Sequence, residues 1–193
     1  MSYGLHVYSA DPAAVIGAVG SDDVKLRRMI GGRFKRDIQQ SDEWFASEIQ
    51  AGAPPLYEAL RALIHGGALD DRYGFQYGYA FELICRHYGR FQPNDGVSAC
   101  RYSWIEAVDG ALTDGGLKAA DFMDLAFGGA PVRFPAPDDF PGTGTWSAEQ
   151  VKAAQGELAG VTVASEFEEA LGNVRAWCAA AAPQGHALFG FYY

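Results

Sequence analysis

The stretch from Ser165 to the last residue constrains the fold more than any other part of the chain. Phe167, Leu171, Val174, Trp177 and Cys178 recur at helical spacing, the strongest such period in the sequence, and Gly185 closes the run. His186 to Tyr193 then alternates, Leu188 and Gly190 against Phe189 and Phe191, which predicts a strand. At the other end, Tyr3 to Ser9 alternates around Leu5 and Val7 and predicts a first strand. Two aromatic-rich strands so placed are expected to pair near the centre of one small sheet, with the long helix packed against it. The predicted fold is therefore α+β: a small sheet including both terminal strands, packed with several helices, in a single domain over residues 1–193. At 193 residues, 49% apolar and 13% aromatic, the chain has the material for a sizeable core.

Between the ends the pattern is mainly helical. Asp11-Pro12 opens one helix, and Asp22-Asp23 opens another that Gly31-Gly32 is expected to interrupt. Ser41 is read as the cap of a third, with Trp44, Phe45 and Ile49 on one side. Pro54-Pro55 starts a clearer helix, striped by Leu56, Leu60, Leu63 and Ile64 and stopped by His65-Gly66-Gly67. Gly74 to Gly89 reads as a helix apolar on nearly every side, hence buried. Arg101 to Leu112 predicts another helix, and Ala120 to Phe127 fits a strand or a short helix equally well. Gly128 to Trp146, rich in proline and glycine, reads as a loop, either ordered by Phe134, Phe140 and Trp146 or exposed. Ser147 and Ser165 are read as the caps of the last two helices.

Charge narrows the partners. The net charge is −9, yet residues 1–102 carry 12 acids and 11 bases while residues 103–193 carry 12 acids and 4 bases. An acidic second half argues against nucleic acid and suits a basic protein partner. No apolar run is long enough to span a bilayer, and Met1 to Ala10 lacks the signature of a signal peptide. A cytoplasmic protein without a membrane partner is expected. Cys85, Cys100 and Cys178 have neither disulfide nor zinc spacing and are read as structural thiols. The basic cluster Arg27, Arg28, Arg33, Lys35 and Arg36 is read as a solvated helix face.

No P-loop, dinucleotide fingerprint, HExxH or nucleophile elbow occurs, and Gly142-Thr143-Gly144 is only a GxG among prolines. The best candidate site is the segment from Asp70 to Tyr88, which His65, at the end of the preceding helix, could approach through the short loop. A buried helix carrying Gln76, Glu82, Arg86 and His87 must satisfy those groups internally or line a cavity with them. Glu82 and Arg86, one turn apart, are expected to pair. Gln76 and His87 share a face. His65, Asp70 and His87 would form a loose acid/base or metal group if the loop brought them together, and Tyr73 and Tyr77 would belong to a pocket wall. The structural alternative is a satisfied network of caps and core polar groups. No cofactor and no metal site is expected.

Tyr3-Gly-Leu-His-Val-Tyr-Ser-Ala-Asp11 at one end, and Glu168 to Gly185 followed by His186-Ala-Leu-Phe-Gly-Phe-Tyr at the other, resemble the YfbM-like family of small bacterial proteins. The likeness covers about a third of the chain, and Tyr73-Gly-Phe-Gln-Tyr-Gly-Tyr and the proline-rich loop depart from it. The resemblance implies an α+β fold with the terminal strands together and implies no reaction. The function expected from the sequence is a non-enzymatic protein-binding module, an immunity-type inhibitor of a toxin being one form of it. The alternative is a small-molecule-binding protein or enzyme using the Tyr/His-rich region around residues 65–88.

Overall fold

The computed structural model describes residues 3–193, so Met1 and Ser2, part of the stretch read for a leader, lie outside the described residues. The chain falls into two compact units. One holds the residues up to Pro12 with 89–131 and 142–193, and the other holds 13–88 with 132–141.

The second unit is helical. It contains α1 (Pro12–Ala18, its first residue ending the other unit's segment), α2 (Val24–Arg33), α3 (Lys35–Trp44), α4 (Ala46–Gln50), α5 (Leu56–His65) and α6 (Gly74–Tyr88). Asp23 caps α2 by accepting the Leu26 N–H, as its position in the sequence predicts. The Gly31-Gly32 pair does not interrupt the helix, which runs on to Arg33. Gly31 is where Tyr57 of α5 packs, since a Cβ there would lie 2.4 Å from its ring, and that packing outweighs the weak helix propensity of glycine. Ser41 is likewise no cap: it lies inside α3, buried, with its hydroxyl unbonded. Trp44, expected on an apolar face, is 71% exposed. α5 carries the predicted stripe, with Leu56, Leu60, Leu63 and Ile64 buried, and ends at Gly66 in the left-handed conformation (φ 68°). α6 is buried on most of its circumference, as its composition requires, and its Phe81 ring meets Phe134 of the proline-rich segment at 5.5 Å.

The first unit holds the sheet: β1 (Leu5–Ala10), β2 (Arg90–Phe91), β3 (Gly142–Trp146) and β4 (Ala187–Tyr192), antiparallel in the order β2-β1-β4-β3. The terminal strands are thus the central pair, in register from Leu5 opposite Tyr192 to Ala10 opposite Ala187. Gly4 and Tyr193 extend the ladder by exchanging both backbone hydrogen bonds. β3 lies inside the stretch read as a loop, and its Trp146 is fully buried with Nε1 donating to the Asp121 carbonyl at 2.8 Å.

Four helices complete this unit: α7 (Tyr102–Asp114), α8 (Phe122–Phe127), α9 (Ala148–Leu158) and α10 (Glu168–Ala181). α8 resolves the Ala120 to Phe127 ambiguity in favour of a short helix. It lies so close to β3 and β4 that only glycine fits beneath it. A Cβ on Gly190 would sit 2.0 Å from the Leu125 carbonyl oxygen, and one on its cross-strand partner Gly144 would sit 2.1 Å from that of Asp124. Ser147 and Gln150 form a capping box on α9. Ser165 instead starts a 3-10 turn without capping by its side chain, and α10 begins three residues later. The predicted stripe of α10 is buried at Leu171, Val174, Trp177 and Cys178, with the Trp177 indole donating to the Pro93 carbonyl at 2.5 Å. The fold is α+β, with both terminal strands in one sheet.

Candidate functional site

His65 stands at the last position of α5, where carbonyls lack helical partners. The segment after α1 supplies donors to them: the Gly20 and Asp22 N–H groups donate to the Leu63 and Ile64 carbonyls, each at 2.8 Å. Both residues need left-handed backbone for this, with φ of 72° and 55°. The same segment brings the Asp22 carboxylate to His65 Nδ1, while Arg27 Nη1 approaches Nε2 at 3.1 Å. A guanidinium only donates, so Nε2 is the acceptor and Nδ1 carries the proton that goes to Asp22. The His65 ring is spanned between a carboxylate and a guanidinium, and neither nitrogen is left for a substrate.

Asp70 is tied up in a similar way. It caps the turn before α6 and forms a two-pronged pair with Arg72, Oδ1 to Nε at 3.0 Å and Oδ2 to Nη2 at 2.7 Å. Hydrogen bonding from Arg72 holds its carboxyl at about 2. Its backbone N–H donates to the Tyr77 hydroxyl oxygen at 3.0 Å, and the Tyr73 hydroxyl donates to the Ala51 carbonyl at 3.1 Å. Asp70, Tyr73 and Tyr77 are therefore brought together, around the start of α6. His87 is the penultimate residue of that helix, about 20 Å of axis away. The structure does not assemble His65, Asp70 and His87 into one group. Among the described residues, no three His, Cys, Asp or Glu side chains are arranged to hold a metal ion.

The polar residues inside α6 divide. Arg86 donates to Asp37 of α3 at 2.5 Å and lies over the Phe34 ring, which ties α6 to its neighbouring helix. Glu82 is buried, and its charge adds to the burial that raises the Tyr79 phenol to about 12 and the Cys85 thiol well above the ordinary range. The His87 ring packs edge-on against Tyr88, and burial with the nearby Arg33 charge lowers its pKa. Gln76 is fully buried, and neither atom of its amide is bonded. All three cysteines are buried and unpaired, and burial pushes Cys178 up to about 12, which keeps these thiols protonated.

The sheet-bearing unit offers a different surface, which sequence reasoning missed. It carries twelve acidic and five basic side chains, net −7, against net −2 in the helical unit. Tyr102 at the start of α7 is 48% exposed and Phe127 at the end of α8 is 38% exposed, their ring centroids 5.3 Å apart. Phe127 in turn rests against the Tyr192 ring at 5.3 Å. Glu106, one turn after Tyr102, helps raise its phenol, second to partial desolvation. Asp124, also exposed, lies one turn before Phe127. Elsewhere in this unit an open groove of about 340 Å³ is lined by Ala111, Asp114, Thr162, Val163 and Phe167. No spacing in the sequence announces the aromatic pair, because its members are joined only by the packing of α7 on α8. The uneven charge was the available signal.

A family model described as a domain of unknown function (DUF7691) matches residues 1–193. No curated protein and no solved structure matches the chain.

Proposed function

The chain belongs to the DUF7691 family, and for it we propose the role of a cytoplasmic protein-binding module whose sheet-bearing unit engages a basic protein. One observation carries this reading: twelve of that unit's seventeen charged side chains are acidic. Such a field raises the encounter rate with a cationic partner and disfavours acidic competitors. An inhibitor that neutralises a toxin, of the immunity type, is one form such a module takes. Among the described residues, no helix is long and apolar enough to cross a membrane.

Cross-linked capture on the full chain in its native host tests the proposal. The expected result is a partner of net positive charge that is lost when Asp114 and Glu166 are both replaced by lysine. The same partner should be retained when Glu43 and Asp71 of the helical unit are replaced instead. An acidic partner, or capture indifferent to which unit is altered, would contradict the reading.

A second reading, a small-molecule-binding protein or enzyme centred on residues 65–88, is favoured by the unbonded amide of Gln76. A buried amide without partners is costly unless something meets it. The Gln76 variant described in the Discussion separates the two readings.

A further inference from the structure

Four arginines lie over aromatic rings within the helical unit: Arg27 over Tyr57, Arg33 over Phe34, Arg72 over Tyr73 and Arg86 over Phe34, at 4.6 to 5.8 Å from the ring centroids. The exposed rings of Tyr102 and Phe127 in the other unit carry no such cation among the described residues. Yet they have what would hold one: two neighbouring π faces reached by water, and the carboxylates of Glu106 and Asp124 one turn away on their own helices. A guanidinium over an aromatic face gains from the ring quadrupole, and a carboxylate beside it accepts its edge N–H groups.

We infer that the Tyr102–Phe127 face, with Glu106 and Asp124, is the seat for an arginine side chain of the basic protein partner. The inference rests on the reading of the sheet-bearing unit as the basic-partner surface and names the contact within it. Charge complementarity selects the occupant. The unit has an excess of seven carboxylates, and a guanidinium satisfies rings and carboxylates together, whereas an apolar side chain would leave the carboxylates beside it unmatched. Tyr102 anchors the seat, since Phe127 is already held from below by Tyr192 and lies over Gly142.

The test titrates the full chain, at physiological salt, with a nonapeptide alternating glycine and arginine. Counterparts carry lysine or the uncharged isostere citrulline in place of arginine. The arginine peptide is expected to bind and to shift the Tyr102 and Phe127 ring resonances. Tyr102→Phe should bind as the parent does, and Tyr102→Leu, which keeps every charge, about tenfold more weakly. Glu106→Gln should weaken binding of the arginine peptide and leave the citrulline peptide unaffected. Tyr102 is exposed, and a thermal melt of each variant verifies that it remains folded. Equal affinity of the arginine peptide for the parent and Tyr102→Leu would overturn this seat and leave the acidic-surface reading standing. Equal affinity for the arginine and lysine peptides with no ring shifts would do the same, marking binding by net charge alone. Failure of both basic peptides to bind the parent would overturn the seat and the broader reading together.

Discussion

Gln76 and His87 share a face of α6 and test its burial in opposite ways. Gln76 has a fully buried amide without a partner, and such a group costs on the order of 1–3 kcal/mol. Gln76→Leu, close in volume, is therefore expected to raise stability by about 1–2 kcal/mol in urea denaturation. A loss of stability would show that the amide is bonded to trapped water or a ligand, which favours the small-molecule reading. His87 is held below its ordinary pKa by burial and by Arg33. As pH falls below about 6.5 the unfolded chain takes up the proton first, so stability should drop until the folded ring also titrates, then level off. Melting temperatures from pH 7.5 to 5 should show this slope in the parent and lose it in His87→Gln; equal slopes would contradict the assignment. That Gln76 and His87 face the same way was legible from their spacing. The bond from Arg86 to Asp37, forty-nine residues away, was not legible, because so distant a partner leaves no local mark.

Where the sequence was ambiguous, elements proved to depend on each other. α8 is too short to show a period and β3 reads as a loop because of Gly142 and Gly144, yet one contact explains both. The α8 backbone rests on the glycine pair Gly144 and Gly190, so the strand must carry glycine and the helix needs little apolar stripe of its own. Gly144→Ala and Gly190→Ala should each cost about 1–3 kcal/mol through forced displacement of α8. Gly156→Ala in α9, where an added Cβ meets nothing within 4 Å, should stabilise by up to about 1 kcal/mol. Urea denaturation of the three variants checks both signs, and a neutral Gly190→Ala would refute the close packing. By contrast α5, α10 and the terminal strands were legible because their apolar periods are clear, and left-handed glycines close α5 at Gly66 and the 3-10 turn after α10 at Gly185. Ser41 and Ser165 were misread as caps, since a serine before an apolar run does not fix the helix start: Ser41 already lies inside α3, and Ser165 is the first residue of a 3-10 turn whose cap position is Ala164.

Across the whole chain, the two ends determine the architecture of the sheet-bearing unit. β4 lies between β1 and β3 and is buried along its length. Deleting Phe189 to Tyr193 should therefore abolish cooperative melting of that unit; a truncated chain that melts as the parent does would contradict the topology. The α+β fold with paired ends was legible because those ends alternate clearly. The candidate site was less so. The residues proposed around 65–88 are there, but His65 and Asp70 are engaged by Asp22, Arg27 and Arg72, and the exposed aromatic pair emerges only when α7 meets α8. What the sequence did carry to this scale was charge, and the function proposed follows from where that charge lies. The most direct measurement is the association rate constant of the captured partner as ionic strength rises from about 50 to 500 mM. A steep fall is expected in the parent, and a slower, flatter profile when Asp114 and Glu166 are replaced by lysine, with the melting temperature nearly unchanged. A rate indifferent to salt and to both replacements would contradict the function proposed.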